Sequence, residues 1–400
     1  MKQKNLSKGT LLGYLFIIII SFMYGFVNTK LEFSGIVSTL TIFLVAMLFI
    51  AFICFTGKYT LKSILSILLL LFIACISYAT TKETVFLIMI MTAVVSSELD
   101  YKIEFKVIFY ERICILALII VLSILGLLPI NEVSIIKGGS TEVTTGYGLG
   151  FNHPNQLAYN IGFLILIYIC YKNEKIKQYN IFIAFIVGLL GYTVTKSRTL
   201  IILLVVIVLL LELYKGKRTR KIFETIFIKW KVSLWIIPMC AIAALGLPIM
   251  MNLATGRLKT ALYAFNGFMG SRFTHSSRVL ELYPVTLFGG ISNFDLLQIN
   301  YGYSVVDNGY LNLLYNFGIL GFFIFFALYF FSIRKLIEKK NYIYLISIMV
   351  ISFWGVTENI LRSFAINFTI IFWSECIDYI KIETNKRRHL LFKRKVRIHI

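Results

Sequence analysis

The chain has 400 residues, of which 58% are hydrophobic, with a mean hydropathy of +0.83 and a formal net charge of +21. These values lie far outside the range of soluble domains and exclude a soluble globular protein. The basic residues mainly flank apolar runs, where Lys and Arg face the anionic inner leaflet of a membrane. A membrane therefore accounts for the positive charge, and we expect no nucleic-acid partner.

Apolar runs long enough to cross a bilayer core of about 30 Å recur along the whole chain. Twelve such runs predict an all-α polytopic integral membrane protein, built as one membrane domain over residues 1–400. The runs cover approximately residues 10–28, 36–56, 61–79, 84–97, 111–130, 155–171, 179–195, 199–214, 232–251, 309–333, 342–358 and 363–380. The first run follows Lys2, Lys4 and Lys8 without a small-residue cleavage site, so we expect an anchor and not a cleaved signal peptide.

The positions of the basic residues predict how the chain is oriented. If the N-terminus is cytoplasmic, most Lys and Arg residues lie on the inner face while the acidic residues divide more evenly, which satisfies the positive-inside rule. The dense basic clusters Lys215–Lys221 and Lys386–Arg397 then share the inner face. We expect cytoplasmic termini, a basic cytoplasmic tail at 381–400 and a bacterial cytoplasmic membrane, since the Lys-, Ile- and Asn-rich composition is typical of an AT-rich bacterium.

Two polar segments are predicted to be extracytoplasmic loops under this orientation, namely residues 131–154 and the large segment 252–308 before the tenth span. The short turn at 196–198 lies on the same face. The charged residues of the large segment are Arg257, Lys259, Arg272, Arg278, Glu281, Asp295 and Asp307. A polytopic protein with one large, arginine-rich loop usually does its chemistry there, so we expect the functional site on this face.

The large loop ends in Asp307-Asn308, and nine residues separate it from Gly318-Ile-Leu-Gly321. Asp or Asn at this place can simply cap the following helix, and two glycines three residues apart let transmembrane helices pack closely. The functional interpretation makes Asp307 a carboxylate at the membrane surface that accepts a proton from an acceptor hydroxyl. Asn308 is then a candidate substrate-binding residue.

Three arginines of the outer segments are candidates for binding a diphosphate. Arg198 immediately precedes the eighth span, and Arg272 and Arg278 lie in Gly270-Ser-Arg-Phe-Thr-His-Ser-Ser-Arg278. A guanidinium group is permanently charged and binds phosphate oxygens in a bidentate manner. The alternatives are that Arg198 reaches to lipid headgroups and that the loop arginines are merely solvated.

A further candidate segment opens the sixth span. Gly146-Tyr-Gly-Leu-Gly-Phe-Asn-His-Pro-Asn155 combines glycines with Pro154, which predicts a tight re-entry into the membrane. His153 and Asn155 place polar groups at the start of that span and are candidate substrate contacts. A lone histidine is more often structural than catalytic, and that alternative stays open.

A metal-dependent site would need paired acidic residues, and the first predicted outer loop does not supply them. The first outer loop offers only Glu32, and the pair Glu98-Leu-Asp100 lies inside by the predicted topology. We therefore expect a site without metal or cofactor, in which arginines stabilise the developing charge.

Together these residues resemble the Wzy-type polysaccharide polymerases and the related O-antigen ligases, which are twelve-span enzymes of the outer face of bacterial membranes. Four landmarks occur in family order: Phe151-Asn-His-Pro-Asn155, Thr195-Lys-Ser-Arg198, Arg278 ahead of Gly289-Gly290, and Asp307-Asn308-x9-Gly318-x-x-Gly321. The likeness covers roughly residues 145–325. The ligases carry a histidine where this chain has Asp307, which favours the polymerase branch.

The resemblance implies a metal-independent, GT-C-like glycosyltransferase that moves a glycan from undecaprenyl diphosphate to a hydroxyl of a second lipid-linked repeat unit. It implies catalytic roles for Asp307, Arg278 and Arg198, and substrate binding by Arg272, His153, Asn155 and Asn308. The expected partners are undecaprenyl-diphosphate-linked glycans and membrane lipid, with a chain-length regulator and a flippase of the same pathway.

Three other functions stay open from the sequence. A ligase of the same fold would hand the finished glycan to a different acceptor. A transporter or flippase of lipid-linked oligosaccharide would carry ionisable groups at the bilayer midplane, whereas these charges cluster near span ends, with Glu375 as the nearest exception. A non-catalytic assembly subunit would tolerate loss of Asp307 and the arginines.

Overall fold

The computed structural model describes residues 7–56, 59–136, 143–291, 293–364 and 366–377. Over these residues the chain is almost entirely helical, and the predicted basic tail at 381–400 lies outside them. The helices and strands, in chain order, are α1 (Lys8–Gly25), α2 (Gly35–Thr56), α3 (Leu61–Thr81), α4 (Val85–Ser96), α5 (Tyr101–Ile124), β1 (Glu132–Ile136), β2 (Val143–Tyr147), α6 (Pro154–Lys172), a 3-10 turn (Asn173–Lys175), α7 (Gln178–Thr195), α8 (Arg198–Lys215), α9 (Arg220–Phe223), a π-helical turn (Glu224–Lys229), α10 (Val232–Leu253), α11 (Gly256–Phe268), α12 (Arg272–Leu282), α13 (Asp295–Tyr301), α14 (Gly309–Glu338), α15 (Tyr342–Trp354) and a 3-10 helix (Phe368–Trp373).

Seven of the described helices, α1, α2, α3, α5, α7, α10 and α14, are long and apolar enough to cross a bilayer. Helix α8 and the segment Arg220–Lys229 bend by 104° at their junction and would together form an eighth span. Several apolar helices of this length are the pattern of a multi-pass membrane protein. That part of the prediction is confirmed, while the number twelve and the orientation stay predictions.

The remaining predicted spans are shorter or more polar than the sequence pattern indicated. Helix α4 has 12 residues and is about 18 Å long. Helix α15 ends at Trp354, and the twelfth run forms only a short apolar helix, Phe368–Ile377, within the described residues. Helix α6 has 19 residues, but Asn155, Gln156 and Asn160 lower the hydropathy of its first turns.

Burial divides the helices into lipid-facing and central ones. Every residue of α15 except Phe353 is buried, as expected for a helix that is apolar all around and lies in the middle of the bundle. Helix α2 instead buries one narrow side and exposes large apolar side chains, among them Ile36 at 79%. Such an apolar outer surface suits a lipid environment.

The described parts of the predicted loop at 131–154, residues 131–136 and 143–153, include two strands, so the expectation of an all-α chain needs one correction. Strands β1 and β2 pair antiparallel, with Glu132 opposite Tyr147 and Ile136 opposite Val143. Thr144, Thr145 and the β-branched residues of β1 suit an extended hairpin, which a search for apolar runs does not detect. The hairpin packs against the end of α7.

The predicted loop at 252–308 is folded over most of its length. It contains α11, α12 and α13, and α12 packs against the end of α10. The Asn252 side chain joins the two helices because its amide donates to Glu281 at 2.8 Å and its carbonyl accepts from Ser277. The segment therefore holds most of its charged residues on helices, whereas Asp307 lies in the coil between α13 and α14.

Two of the glycine landmarks meet at a break in α14. Gly318 has φ +70° and ψ 179° and interrupts the helix, and the amides of Ile319 and Leu320 donate at 3.0 Å to the carbonyls of Thr286 and Leu287. A Cβ on Gly318 would lie 2.2 Å from the backbone nitrogen of Gly289. Gly318 thus serves a helix break and close contact with a loop, rather than the helix–helix packing that its spacing also allowed.

Candidate functional site

The first residue of α12 lies at the centre of the candidate site. The Arg272 guanidinium places Nη2 2.7 Å from Oε1 of Glu358 and Nε 3.4 Å from Oδ2 of Asp307. Its side chain is 14% exposed. One arginine therefore bridges two carboxylates that are 51 residues apart in sequence, and sequence reasoning had placed Arg272 only among the secondary candidates.

Close backbone packing brings those two carboxylates together. The amide of Gly309, the first residue of α14, donates to the carbonyl of Gly355 at 2.9 Å. A Cβ on Gly309 would lie 2.8 Å from the carbonyl oxygen of Glu358. Because glycine permits this approach, the start of α14 is pressed against the turn that follows α15, and Asp307 lies beside Glu358.

Glu358 is the buried partner in this arrangement. Its side chain has no exposed surface, its Oε2 accepts a hydrogen bond from the Tyr159 hydroxyl of α6, and Thr199 of α8 also hydrogen-bonds it. Burial raises the pKa of Glu358 to about 7, while the Arg272 guanidinium opposes that rise. Sequence reasoning missed Glu358 because it sits at the end of an apolar run that was read as a span.

The charge on Arg272 is secured by its partners. Burial by itself lowers the pKa of an arginine, but the carboxylates of Glu358 and Asp307 outweigh it and leave the pKa of Arg272 raised. Arg272 is therefore a permanently charged group held in a polar cluster that the surrounding helices enclose.

Asp307 is the open partner. Its side chain is 34% exposed, whereas that of Glu358 is completely buried. It directly precedes Asn308, the N-cap residue of α14, which fixes the backbone at this point. Asp307 thus combines contact with a buried cation and access from outside, as required of a carboxylate that meets a substrate hydroxyl.

Asn308 is buried, and its side-chain amide forms hydrogen bonds with other groups of the protein. Its carbonyl oxygen accepts from the amide of Leu311 at 3.0 Å, and its nitrogen donates to the carbonyl of Ala244 at 2.7 Å and to the Ser276 hydroxyl at 3.1 Å. These bonds join α14 to α10 and α12 and position Asp307. The N-cap interpretation of Asn308 is confirmed, and a direct substrate contact stays a prediction.

His153 is the N-cap residue of α6 and interacts electrostatically with Asp307 and Arg272. Its Nδ1 accepts from the amide of Asn155 at 3.1 Å, with Pro154 in the first turn. Burial lowers the pKa of His153, the Asp307 carboxylate raises it, and the Arg272 guanidinium lowers it. Asp307 and Arg272 therefore both act electrostatically on His153, whose Nδ1 serves as a hydrogen-bond acceptor.

Helix α12 presents three candidate groups with helical spacing, since Arg272, His275 and Arg278 follow one another at three-residue intervals. The Arg278 guanidinium carbon lies 4.0 Å from the centre of the Tyr301 ring, and Nη1 donates to the Tyr303 hydroxyl at 3.1 Å. A cation on aromatic faces keeps its charge while its position is fixed.

His275 connects Arg278 to the central cluster. Its ring stacks on Tyr303, with centroids 4.0 Å apart and planes 28° apart. Burial lowers the pKa of His275, Asp307 raises it, and Arg278 and Arg272 lower it. Sequence reasoning did not single out His275, Tyr301 or Tyr303, although the three-residue spacing along α12 could have indicated His275.

Arg198 belongs to the same end of the bundle. It is the first residue of α8. The side chain of the next residue, Thr199, hydrogen-bonds Glu358, and its hydroxyl oxygen lies 2.9 Å from that of Ser197. The β2 strand packs closely on this turn, because a Cβ on Gly146 would lie 2.4 Å from the carbonyl oxygen of Thr195. The structure therefore brings the 195–199 turn to Glu358.

No group of three or more His, Cys, Asp or Glu side chains is arranged to hold a metal ion within the ranges that the structure describes. Asp307 and Glu358 instead share the Arg272 guanidinium. Chemically, the cluster offers a half-open carboxylate, a bridging cation, a second cation on an aromatic surface and two histidines whose pKa values are lowered. It can bind an anion and accept a proton from a hydroxyl group.

No protein-family model, no curated protein and no solved structure matches this chain.

Proposed function

We propose that this protein is a polysaccharide polymerase, a glycosyltransferase that joins undecaprenyl-diphosphate-linked repeat units into a surface polysaccharide on the outer face of a bacterial cytoplasmic membrane. The observation that carries the proposal is the Arg272 bridge between buried Glu358 and half-open Asp307. It lies beside Arg278 and His153, two of the residues that the family resemblance implies. The proposal includes cytoplasmic termini and the 252–308 segment outside.

The proposed reaction exchanges one bond at the anomeric carbon of the donor sugar. The acceptor hydroxyl oxygen forms the new glycosidic bond, and the bond from that carbon to the diphosphate oxygen breaks. The hydroxyl proton passes to the Asp307 carboxylate, and the electron pair of the broken bond leaves on the diphosphate. The step needs no oxidant or further reactant.

Arginines receive the negative charge that develops on the leaving diphosphate. Arg278 is held on Tyr301 and Tyr303, and Arg198 starts a helix at the same end of the bundle. Cations whose positions are already fixed stabilise such a charge without reorganisation. Arg272 contributes both to proton acceptance, because it holds Asp307 in place, and to binding of the leaving diphosphate, because it lies in the same cluster.

Glu358 is the positioning residue of this mechanism. With the hydroxyl groups of Tyr159 and Thr199, it anchors one end of Arg272, so that the other end faces Asp307. A buried carboxylate that loses its cation is strongly destabilised, which favours this pairing over other arrangements. The site therefore does not depend on a flexible loop for the orientation of its central cation.

The experiment that tests the proposal is complementation of a gene deletion at matched expression. Wild type, Asp307→Ala, Arg278→Ala and Arg198→Ala are compared by the size of the surface glycan on a gel. The deletion and the three variants should yield single repeat units. Arg257→Ala and Asp295→Asn, which change exposed residues of the same segment, are the matched controls and should yield normal polymer.

The other outcomes of this experiment are informative. Normal polymer from all three site variants would refute the site and favour a non-catalytic assembly subunit. Long chains that stay on the lipid carrier in the deletion strain would identify a ligase. Repeat units that accumulate on the inner face would identify a flippase.

A further inference from the structure

A polar cavity of about 530 Å³ lies at the end of the bundle opposite the candidate site. Helix α8 starts near the site with Arg198, runs for 18 residues, about 27 Å, and ends at Lys215 next to the cavity. Helix α15 begins with Tyr342 in the cavity wall and ends with Trp354 towards the site. The cavity and the site are therefore separated by most of the thickness of a bilayer core of about 30 Å.

A segment that runs across the bundle forms one wall of this cavity. Arg220–Lys229 bends away from α8 by 104°, so it lies nearly perpendicular to that helix. The bend follows Gly216, where a Cβ would collide with the Thr219 hydroxyl, which donates to the carbonyl of Glu212 at 2.9 Å. Trp230, which directly follows the segment, is 65% exposed, and tryptophan is enriched at membrane–water interfaces. This wall therefore suits the membrane surface, where lipid headgroups lie.

The lining of the cavity is charged. It carries three basic residues, Arg220, Lys229 and Lys340, and two acidic residues, Glu174 and Glu224. Nε of Arg220 lies 3.0 Å from Oε1 of Glu224, so these two charges balance each other. Lys229 and Lys340 form no ion pair with any residue that the structure describes. Lys229 ends the π-helical turn and Lys340 precedes α15, so two lysines from separate elements remain available to an anion.

Two tyrosines add hydroxyl groups to the lining. The Tyr214 and Tyr342 rings are buried, with centroids 5.8 Å apart and planes 81° apart. The Tyr214 hydroxyl donates to Glu174 at 3.0 Å, whereas the Tyr342 hydroxyl has no hydrogen-bond partner within the described parts of the chain. A tyrosine whose ring is fixed by burial can donate its hydroxyl to a phosphate oxygen.

The charge balance of the lining selects the class of anion. Three basic and two acidic side chains leave one net positive charge, which matches a monoanion better than a dianion or trianion. A phosphodiester carries a single negative charge, whereas a phosphomonoester carries between about 1.5 and 2 at pH 7. Basic segments at a membrane surface attract the anionic headgroups of the adjacent leaflet.

We propose that this cavity binds the phosphodiester headgroup of an anionic glycerophospholipid. The phosphate lies between Lys229 and Lys340, the Tyr342 hydroxyl donates to it, and the acyl chains extend into the adjacent leaflet. Under the proposed orientation that leaflet is the cytoplasmic one. The bound lipid would join the segment between α8 and α10 to the turn between α14 and α15. This inference does not depend on the reaction proposed for the other end of the bundle.

Lipid binding by the purified full-length protein tests this site. Native mass spectrometry in neutral detergent should show one phosphatidylglycerol bound at least about tenfold more tightly than phosphatidylcholine. Joint replacement Lys229→Gln and Lys340→Gln should raise the apparent Kd for phosphatidylglycerol by about tenfold or more. The matched control, Lys217→Gln with Lys221→Gln, removes the same charge from exposed lysines outside the cavity and should leave this Kd unchanged. Equal weakening in the two double variants would show a diffuse basic surface and would overturn the site.

Two further measurements test the source of the phosphate and the charge balance. Glycerophosphoglycerol, the water-soluble headgroup, should bind about 10²-fold more weakly than phosphatidylglycerol because it lacks acyl chains. Equal affinity would identify a free phosphodiester as the ligand and would overturn the lipid assignment. Glu174→Gln removes a negative charge but keeps an acceptor for the Tyr214 hydroxyl, so it should shift the preference towards phosphatidic acid by about fivefold. An unchanged preference in that variant would contradict selection by net charge.

Discussion

Two buried glutamates lie near opposite ends of α14 and have almost the same surroundings. Glu358 pairs with Arg272 and accepts from Tyr159, and Glu375 pairs with Lys339 at 2.6 Å and accepts from Tyr101 at 3.2 Å. Both glutamate side chains are essentially inaccessible. The difference is in the cations, since the Lys339 side chain is 50% exposed and that of Arg272 is 14% exposed and reaches a second carboxylate.

Under the proposed function, this difference separates a structural ion pair from one that belongs to the site. Lysine carries a single ammonium group that reaches solvent, whereas a planar guanidinium can contact two carboxylates at once. Through Arg272, buried Glu358 is connected to Asp307, which is 34% exposed. Both ends of α14 therefore bury a glutamate. Of the two, Glu358 is linked through its cation to Asp307, a partly exposed carboxylate.

Removal of the cation should give the largest contrast between the two ends. Arg272→Ala and Lys339→Ala each leave a buried carboxylate without its cation, so both should lower the melting temperature of the purified protein. Only Arg272→Ala should also reduce polymer formation, by about 10²-fold or more. Arg272→Lys should recover the melting temperature better than the activity, because lysine lacks the planar guanidinium whose Nε and Nη2 face the two carboxylates. Equal activity of the two alanine variants would contradict the distinction.

Neutral replacement of each glutamate should give the next largest effect. Glu358→Gln keeps the shape but removes the charge that holds Arg272, and we expect polymer formation to fall by about tenfold or more. Glu375→Gln should leave polymer formation unchanged. In vitro turnover at matched protein concentration measures both, and a circular dichroism spectrum equal to wild type shows that each variant is folded.

The pH dependence of activity should also distinguish the two ends. Because burial raises the pKa of Glu358 to about 7, this carboxyl takes up a proton below about pH 7, its pair with Arg272 weakens, and activity should fall. The folded protein binds this proton more tightly than the unfolded chain, where the pKa of glutamate is about 4.3. The contribution of Glu358 to stability therefore falls as pH rises from about 4.3 to 7 and is constant above. A pH–rate profile of Glu358→Gln should lack this acidic limb, whereas Glu375→Gln should retain it.

Loss of a single hydroxyl should give the smallest effect. Tyr159→Phe and Tyr101→Phe each remove a hydrogen bond to a buried carboxylate, which costs about 1–3 kcal/mol. Tyr159→Phe should in addition reduce turnover a few-fold by loosening Glu358, and Tyr101→Phe should leave turnover unchanged. The two variants are compared by melting temperature and by the rate of polymer formation, and a turnover defect in Tyr101→Phe would remove the contrast.

The kind of fold was predictable from the sequence, while the number of twelve spans stays a prediction. Length and hydropathy of the runs identify a multi-pass helical protein, because a bilayer demands long apolar helices wherever the chain crosses. The same criterion cannot separate a spanning helix from a central one such as α15, which is equally apolar but has 13 residues. It is also blind to β1 and β2, whose side chains follow a different period.

The candidate site was predictable only through its separate parts. Asp307, Arg272, Arg278 and His153 were visible as polar residues near span ends, and the structure brings them to one end of the bundle. Glu358, His275 and Tyr159 were not, because their importance comes from neighbours that are distant in sequence. Asn308 was also recognisable from the sequence, but the structure shows it as a capping residue, since its side-chain carbonyl oxygen accepts from the amide of Leu311 in α14.

The sequence by itself determined that this chain is a helical membrane protein with a polar, arginine-rich segment between apolar helices. These properties follow from the composition and from the sequence order of apolar and polar segments. Because unpaired polar groups are costly in lipid, each apolar segment must form a helix. Only the tertiary structure decided that Arg272 lies between Asp307 and Glu358. The reason is that ion pairing depends on distances of a few ångströms, which here follow from the glycine contact between the start of α14 and the turn after α15.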